Sequence, residues 1–403
     1  MSIIVQKYGG TSVADVEKLK QIAQLIAVVK KQSSDVVVVV SAMGKTTNQL
    51  IDMAKSISGN PEKRELDMLL STGERITMAL LCIALNELGI KAISLTGSQS
   101  GIITNDRYND ARVIEIRPFR VQDELAKGRV VVIGGFQGVS YKRDITTLGR
   151  GGSDTSAVAL AAALNAERCE IYSDVDGVYT TDPNIVKEAK HLPEISYQQV
   201  QEMAESGAKV LNAQAIQFAK EAKIAIYSRS TFKPGKETVI REMIPADKPG
   251  VIAVVHETDI IKIVLSPDTG SKNLDLLLKV LNESEISVKE LHYIKNENDN
   301  FSKASFIVTK RNIHNWDKVE FKLRQIFSDQ ILIDNSNSAV SIIGEGFSKD
   351  NRVVLETINV LKSNNIIFTS LITTSFRLSL LVKNNVLEKT INVLHNYWIN
   401  KEL

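Results

Sequence analysis

Three glycine-rich turns carry the residues of this chain best suited to chemistry. The first, Lys7-Tyr8-Gly9-Gly10-Thr11-Ser12, stands between a short apolar run and a helical pattern. The second is Gly134-Gly135-Phe136-Gln137-Gly138. The third, Gly149-Arg150-Gly151-Gly152-Ser153-Asp154-Thr155, opens another helix. Glycine lets a backbone approach an anion closely, and a helix starting at such a turn offers N–H groups to it. Lys7 and Arg150 add full positive charges. A single strand–Gly-Gly–helix turn merely meets the steric needs of a connection. Three in one region, two of them with a cation, point to phosphate or carboxylate binding. Gly44-Lys45-Thr46 resembles the end of a P-loop, but position 39, where its first glycine belongs, is Val39. No G-x-G-x-x-G follows the first strand either, so a nucleotide must be held in another way.

These turns need strands to place them. Residues 36–40 are five consecutive valines, the pattern of a strand buried on both faces, and similar runs occur at 92–95 and 130–133. Val13, Val16, Leu19, Ile22, Ala23, Ile26 and Val29 keep to one helical face. Residues 153–164 read as a helix, 170–173 as a strand, 206–222 as a helix and 225–227 as a last strand. Alternating buried strands and helices predict an α/β sandwich with a mainly parallel sheet. Glycine turns at strand ends then lie where open sheets of this kind bind ligands.

Beyond Pro245, the Asp247-Lys248-Pro249-Gly250 stretch reads as a linker. Runs at 261–265, 276–281 and 286–288 are echoed at 340–343, 355–361 and 366–368. Val280 and Val360 are equivalent, a period of 360 − 280 = 80 residues. Each copy reads strand, helix, strand: a small α+β module present twice. At 403 residues several domains are expected, and the boundaries fall at 1–245, 250–330 and 331–403.

The composition, 43% hydrophobic and 24% charged with a formal charge of +2, gives no reason to expect nucleic-acid or membrane binding. Cys82 and Cys169 lack metal-ligand spacing and cannot make a disulfide framework, which suits a reducing compartment. The opening MSIIVQKYGG has no basic stretch ahead of a long apolar run, so a cytoplasmic protein without a signal peptide is expected.

KYGGTSV at 7–13, VVSAMG at 39–44, LLSTGE at 69–74, TLGRGGSDTSA at 147–157, IYSDVDGVYTTDP at 171–183 and GAKVLNAQA at 207–215 together resemble the aspartokinase family. The C-terminal repeat is similar, more weakly, to the paired ACT domains of those enzymes. The resemblance implies the amino-acid kinase three-layer sandwich followed by two α+β ACT-like modules. It implies an ATP-dependent kinase for the side-chain carboxylate of L-aspartate, and homo-oligomers formed through the ACT modules.

It also implies roles. Lys7 would contact the transferring phosphoryl group while Tyr8, Gly9 and Gly10 cradle the phosphates. Lys209, with Val210 beside it, would be a second cation there, and Asp154 would orient the two lysines. Ser173, Asp174, Tyr179 and Asp182 would line the ATP site, and Mg²⁺ would be carried mainly by the phosphates, with no protein ligand cluster. Arg150 would hold the α-carboxylate of aspartate through its planar fork, Glu74 the α-ammonium, and Ser41, Thr47, Gly151, Gly152 and Ser153 would complete the acceptor site. Asp106, Tyr108 and Asp110 read as turn and surface residues.

Two departures from the family pattern stand out. Asn184 replaces an arginine that commonly follows Thr181-Asp182-Pro183, with Lys187 and Lys190 nearby as substitutes. The turns that would hold an effector, lysine or threonine, read Ser266-Pro267-Asp268-Thr269-Gly270 and Gly346-Phe347-Ser348-Lys349-Asp350, without the usual Pro-Gly pair. Thr374-Ser375-Phe376 also lacks the Ser-Glu pair usual in the second module, so feedback by these amino acids is expected to be weak. A kinase for glutamate or an acylated glutamate, and a non-catalytic amino-acid sensor, are the competing readings.

Overall fold

In the computed structural model the valine run becomes the strand Asp35–Val40, with five of its six residues buried. It lies beside Ile3–Tyr8 in an eight-stranded sheet. From one edge the strands are Glu194–Ser196, Glu237–Arg241, Ile226–Ser230, Arg168–Ser173, Ile3–Tyr8, Asp35–Val40, Val130–Gly134 and Ala92–Leu95. All neighbouring pairs are parallel except Ile226–Ser230 with Glu237–Arg241. The structure describes the whole chain except residues 1, 33, 150, 209, 234, 244–249, 267–269, 285, 296–301, 311–312, 314–315 and 401–403.

Helices Val16–Lys31 and Thr72–Glu87 pack together over a core that includes Leu19, Ile22, Ile26, Val38, Leu81 and Leu85. Helix Gly152–Ala163 packs on strands Ile3–Tyr8, Asp35–Val40 and Arg168–Ser173, with helix Ala213–Ala222 against it. Val16 opens its helix exposed, and Ala27 joins the buried face instead. Helices Lys63–Leu70 and Thr72–Glu87 form one stretch long and apolar enough to cross a membrane, but half of it is buried inside the protein.

A second, four-stranded sheet (Val113–Ile116, Ile102–Thr104, Gln137–Ser140, Ile145–Thr147) leads into the Gly149 turn. Of the helix expected over 206–222 only Ala213–Ala222 forms; the helix before it, Tyr197–Glu205, ends ahead of that range. Gly207 takes φ +101 between them, outside the helical region, and Asn212 restarts the chain by accepting the Gln214 N–H.

By contact density the chain divides into two units, the first of residues 1–179, 190–204 and 209–244, the second of 180–189, 205–208 and 245–403. The second unit holds two four-stranded sheets, each with helices. One is ordered Lys289–Lys295, Ser302–Thr309, Ile260–Leu265, Ile331–Asp334; the other Gly250–Glu257, Asn337–Glu345, Arg377–Lys383, Phe368–Thr373. Strand–helix–strand recurs as Ile260–Leu265, Gly270–Glu283, Lys289–Lys295 and as Asn337–Glu345, Arg352–Ser363, Phe368–Thr373. Gly250–Glu257 pairs with Asn337–Glu345, so residues 260–334 are nested between strands of one sheet.

Candidate active site

Strand Ile3–Tyr8 has parallel neighbours on both sides, and the C-terminal ends of four adjacent parallel strands lie side by side at its end. They deliver Tyr8-Gly9-Gly10, Ser41-Ala42, Gly134-Gly135 and Ser173-Asp174 to one edge. Backbone bonds lock them together. Gly9 N–H donates to Tyr172 C=O at 3.0 Å, Ser41 N–H to Tyr8 C=O at 3.1 Å, and Gly135 N–H to Val40 C=O at 2.9 Å.

Lys7 is 8% exposed on this strand, and its ammonium lies 2.6 Å from Asp154 Oδ1. Asp154 sits in the first turn of helix Gly152–Ala163, whose N-cap Gly151 is left-handed at φ 73. A Cβ on Gly9 would stand 3.6 Å from the Lys7 ammonium, and one on Gly135 would collide with Val39 and Ser153 at 2.8–3.0 Å. Glycine here keeps the wall open above the cation and lets helix Gly152–Ala163 close on the sheet. The first turn does not run straight into a helix. Five residues intervene after Gly10, and the Asp15 carboxylate already accepts the Lys18 N–H at 2.9 Å, so the N-terminus of Val16–Lys31 is capped by the chain itself.

Tyr8 is fully buried and stacks on Tyr172 at 4.8 Å, so its contribution to the turn is its backbone. Ser173 hydrogen-bonds the Val175 backbone, and the exposed Asp174 accepts from Thr11 Oγ1 at 3.4 Å. Tyr179 donates to Asp176 at 2.8 Å. Asp182 belongs to the second unit, where it accepts from the Asn184 backbone and side-chain N–H groups at 2.9 Å. The asparagine that departs from the family pattern is thus a turn residue. Val210 is half-buried; Lys209 and Arg150 lie outside the described residues.

On the acceptor side, Glu74 occupies the first turn of helix Thr72–Glu87 and is 3% exposed. One carboxylate oxygen accepts the Ala42 N–H at 3.1 Å; the other has no hydrogen-bond partner among the described residues. Burial pushes this carboxyl up to about 7, against the opposing pull of its own and the Ala42 N–H groups. Gly73 permits this, since a Cβ there would lie 2.8 Å from that of Ala42. Glu74 borders Gly134 and Ser153 borders Gly135, so the two side chains flank one glycine pair. Ser41 is half-buried, and Thr47 stands in the first turn of helix Thr46–Ile57.

Two further side chains, unmarked by any sequence motif, shape the candidate site. Thr231, just past strand Ile226–Ser230, shares a 2.6 Å hydrogen bond with Ser12 and donates to Ser173 C=O. Its signal was its place after a strand parallel to Arg168–Ser173. Asp67, fully buried, accepts from Thr147 N–H and Oγ1 and from Asn109 N–H, fixing the chain that enters the Gly149 turn. Asp110, read as a surface residue, borders that turn: a Cβ on Gly149 would be 3.0 Å from its carboxylate.

A parallel sheet with glycine turns and a buried Lys–Asp pair at its edge is the architecture of a phosphoryl-transferring α/β enzyme. Residues 2–228 match the Amino acid kinase family. The aspartokinase of Mycolicibacterium smegmatis is 39% identical over 98% of this chain and 96% of its own length. That of Bacillus sp. (strain MGA3) is 40% identical over 98% and 97%. The crystal structure of E. coli aspartokinase III with aspartate and ADP (R-state) superposes with a TM-score of 0.83 at 26% identity, covering 98% of this chain and 99% of that one. Its complex with lysine and aspartate (T-state) gives 0.75 at 25% identity over 98% and 99%. The chain belongs to the aspartokinase family.

Because Glu74 holds its proton up to about pH 7 when folded, its burial costs nothing in acid and weakens the fold as pH rises from the ordinary carboxylate range to about 7. Glu74→Gln is expected to match wild-type stability near pH 4 and exceed it by about 3 kcal/mol above pH 7. The same variant should lose most affinity for an ammonium-bearing acceptor. Chemical denaturation at the two pH values, with acceptor titration, checks both.

Proposed function

We propose that this chain transfers the γ-phosphoryl group of ATP to the side-chain carboxylate of L-aspartate, giving 4-phospho-L-aspartate for aspartate-family amino-acid biosynthesis in the cytoplasm. The observation that carries this reading is the Lys7 ammonium, held by Asp154 below an open glycine turn. Glu74, with one carboxylate oxygen unbonded, stands at the neighbouring Gly134-Gly135 pair. In this reading residues 1–245 are catalytic and 250–403 form two ACT-like modules through which two copies pair. The boundary expected at 330/331 gives way because Gly250–Glu257 pairs with Asn337–Glu345 and 331–334 with 262–265.

The acceptor carboxylate is already ionised at neutral pH, so no strong base is needed, and catalysis is positioning and charge neutralisation. Lys7 neutralises the transferring group, and Lys209 supplies a second cation. Among the described residues no three acidic, histidine or cysteine side chains converge, and Asp154 is engaged by Lys7. That donor set suits Mg²⁺ bound mainly by ATP oxygens, where it would spread phosphate charge. Arg150 would grip the α-carboxylate in its fork and Glu74 the α-ammonium, with Ser41, Thr47 and Ser153 orienting the acceptor. Glu74 favours a free amino acid, since acylation removes the ammonium it would bind.

Feedback is proposed to be weak. In the second module Phe347 fills the core at 2% exposure where the effector turn would open, and Ser348 bonds Ser375. The first module's turn, 267–269, lies outside the described residues.

Hydroxylamine trapping of acyl phosphate is expected with aspartate and ATP but not with glutamate or N-acetylglutamate. Lys7→Ala should lower the rate by about 10²–10³-fold with the fold intact. Trapping with glutamate instead, or wild-type turnover in Lys7→Ala, would refute the assignment. In the same assay, saturating lysine and threonine, separately and together, should reduce the rate by less than about twofold; strong inhibition by either sinks the weak-feedback proposal.

A further inference from the structure

The second unit contains a cavity of about 310 Å³ lined by charged side chains of both signs, among them Glu257, Lys289, Glu290 and Arg377. It is shaped by an irregular strand. Pairing of Lys289–Lys295 with Ser302–Thr309 slips between Lys289 and His292, and Glu290 is left-handed at φ 54. Successive strand residues normally face opposite sides; the bulge and the left-handed residue let both Lys289 and Glu290 line the cavity. Such strain persists only where the surroundings hold it, and it concentrates at functional places.

One wall of the cavity is a short piece of chain that includes Glu205 and Ser206. Lys289 Nζ contacts both Glu257 oxygens at 2.9 and 3.0 Å and also donates to the Glu205 carbonyl at 3.1 Å. Glu205 ends helix Tyr197–Glu205, so its carbonyl is one that the helix leaves unsatisfied, at the negative end of the dipole. Thr309 fixes Glu257 by donating at 2.8 Å. Arg377, 3.8 Å from Glu290, donates to Ser206 Oγ at 3.4 Å. Gly207 follows at φ 101, where a Cβ would stand 2.5 Å from the His256 carbonyl. Residues 205–208 therefore belong to the second unit, and the chain leaves that unit at Lys209.

We propose that Lys289 and Arg377 are positioning residues for phosphoryl transfer: by gripping Glu205, Ser206 and Gly207 they fix where the segment carrying Lys209 begins. This rests on the reading of Lys209 as a cation over the nucleotide phosphates. Gly207 is then required both to let the chain turn and to let it lie against His256. The ion pair Lys289–Glu257 is the anchor, and the lysine's remaining donor capacity is what reaches the helix end.

Steady-state kinetics of the full-length Lys289→Met, Arg377→Met and Lys209→Ala variants tests this. Lys289→Met and Arg377→Met are expected to raise the KM for ATP about tenfold while the KM for aspartate stays within about twofold, whatever the change in unfolding midpoint. Lys289→Arg, which keeps a donor, should recover most of the loss. Normal ATP kinetics in both methionine variants beside an impaired Lys209→Ala overturns the inference alone. A joint rise of both KM values with a lowered unfolding midpoint also overturns it, since that marks a merely structural role. Full activity in Lys209→Ala removes the role of Lys209 and overturns both readings.

Discussion

The active edge depends on one buried ion pair, Lys7 with Asp154 at 2.6 Å. Taking both charges out of water is expensive, and their attraction repays it only if the geometry is close. That geometry demands a helix N-terminus packed directly on the central strands. Gly135, Gly151 and Gly152 meet the demand, because a Cβ at each would lie within 3.0 Å of a neighbouring atom. The second and third glycine turns are therefore less a phosphate cradle in themselves than the condition for a cation and its partner to meet beneath the first. In the proposed reading an arriving phosphoryl group would meet a Lys7 already fixed, the preorganisation that makes electrostatic catalysis effective.

The acceptor side uses the opposite tactic. Glu74 is buried without a cation among the described residues and is left with its carboxyl near neutrality. A bound ammonium would supply the missing charge and lower the carboxyl again, so part of the cost of burial returns as affinity for a free amino acid. In the proposed reading the charges of both substrates would be answered by groups of the strand edge and the two helix N-termini beside it. The bulged strand of the second unit, with Glu290 held left-handed, extends the same economy of strain to the segment before Lys209.

The sequence was most readable where burial dictates residue type on both faces of a strand. The valines of Asp35–Val40 and the run at Val130–Gly134 announced a parallel sheet, and its strand-end glycines marked the candidate site. The small sheet that leads to Gly149 was not visible, since strands of three or four residues such as Ile102–Thr104 and Ile145–Thr147 carry too little alternation to register. The apolar period across 206–222 hid a break, because a positive φ at Gly207 leaves no mark in a hydrophobic pattern. Glu74 stood out only through family resemblance; by itself a carboxylate in a first helical turn reads as a dipole partner. Thr231 and Asp67 were missed because their roles come from sheet neighbours distant in sequence. Nesting of 260–334 within a sheet begun by Gly250–Glu257 likewise exists only in the pairing.

The central claim is that Asp154 acts by holding Lys7 where phosphoryl charge develops. Kinetics of Asp154→Asn, which keeps the shape and removes the charge, tests it most directly. A fall in kcat of about 10²-fold or more is expected, with the KM for aspartate little changed and the fold intact. A variant that keeps wild-type kcat while folding normally would contradict it.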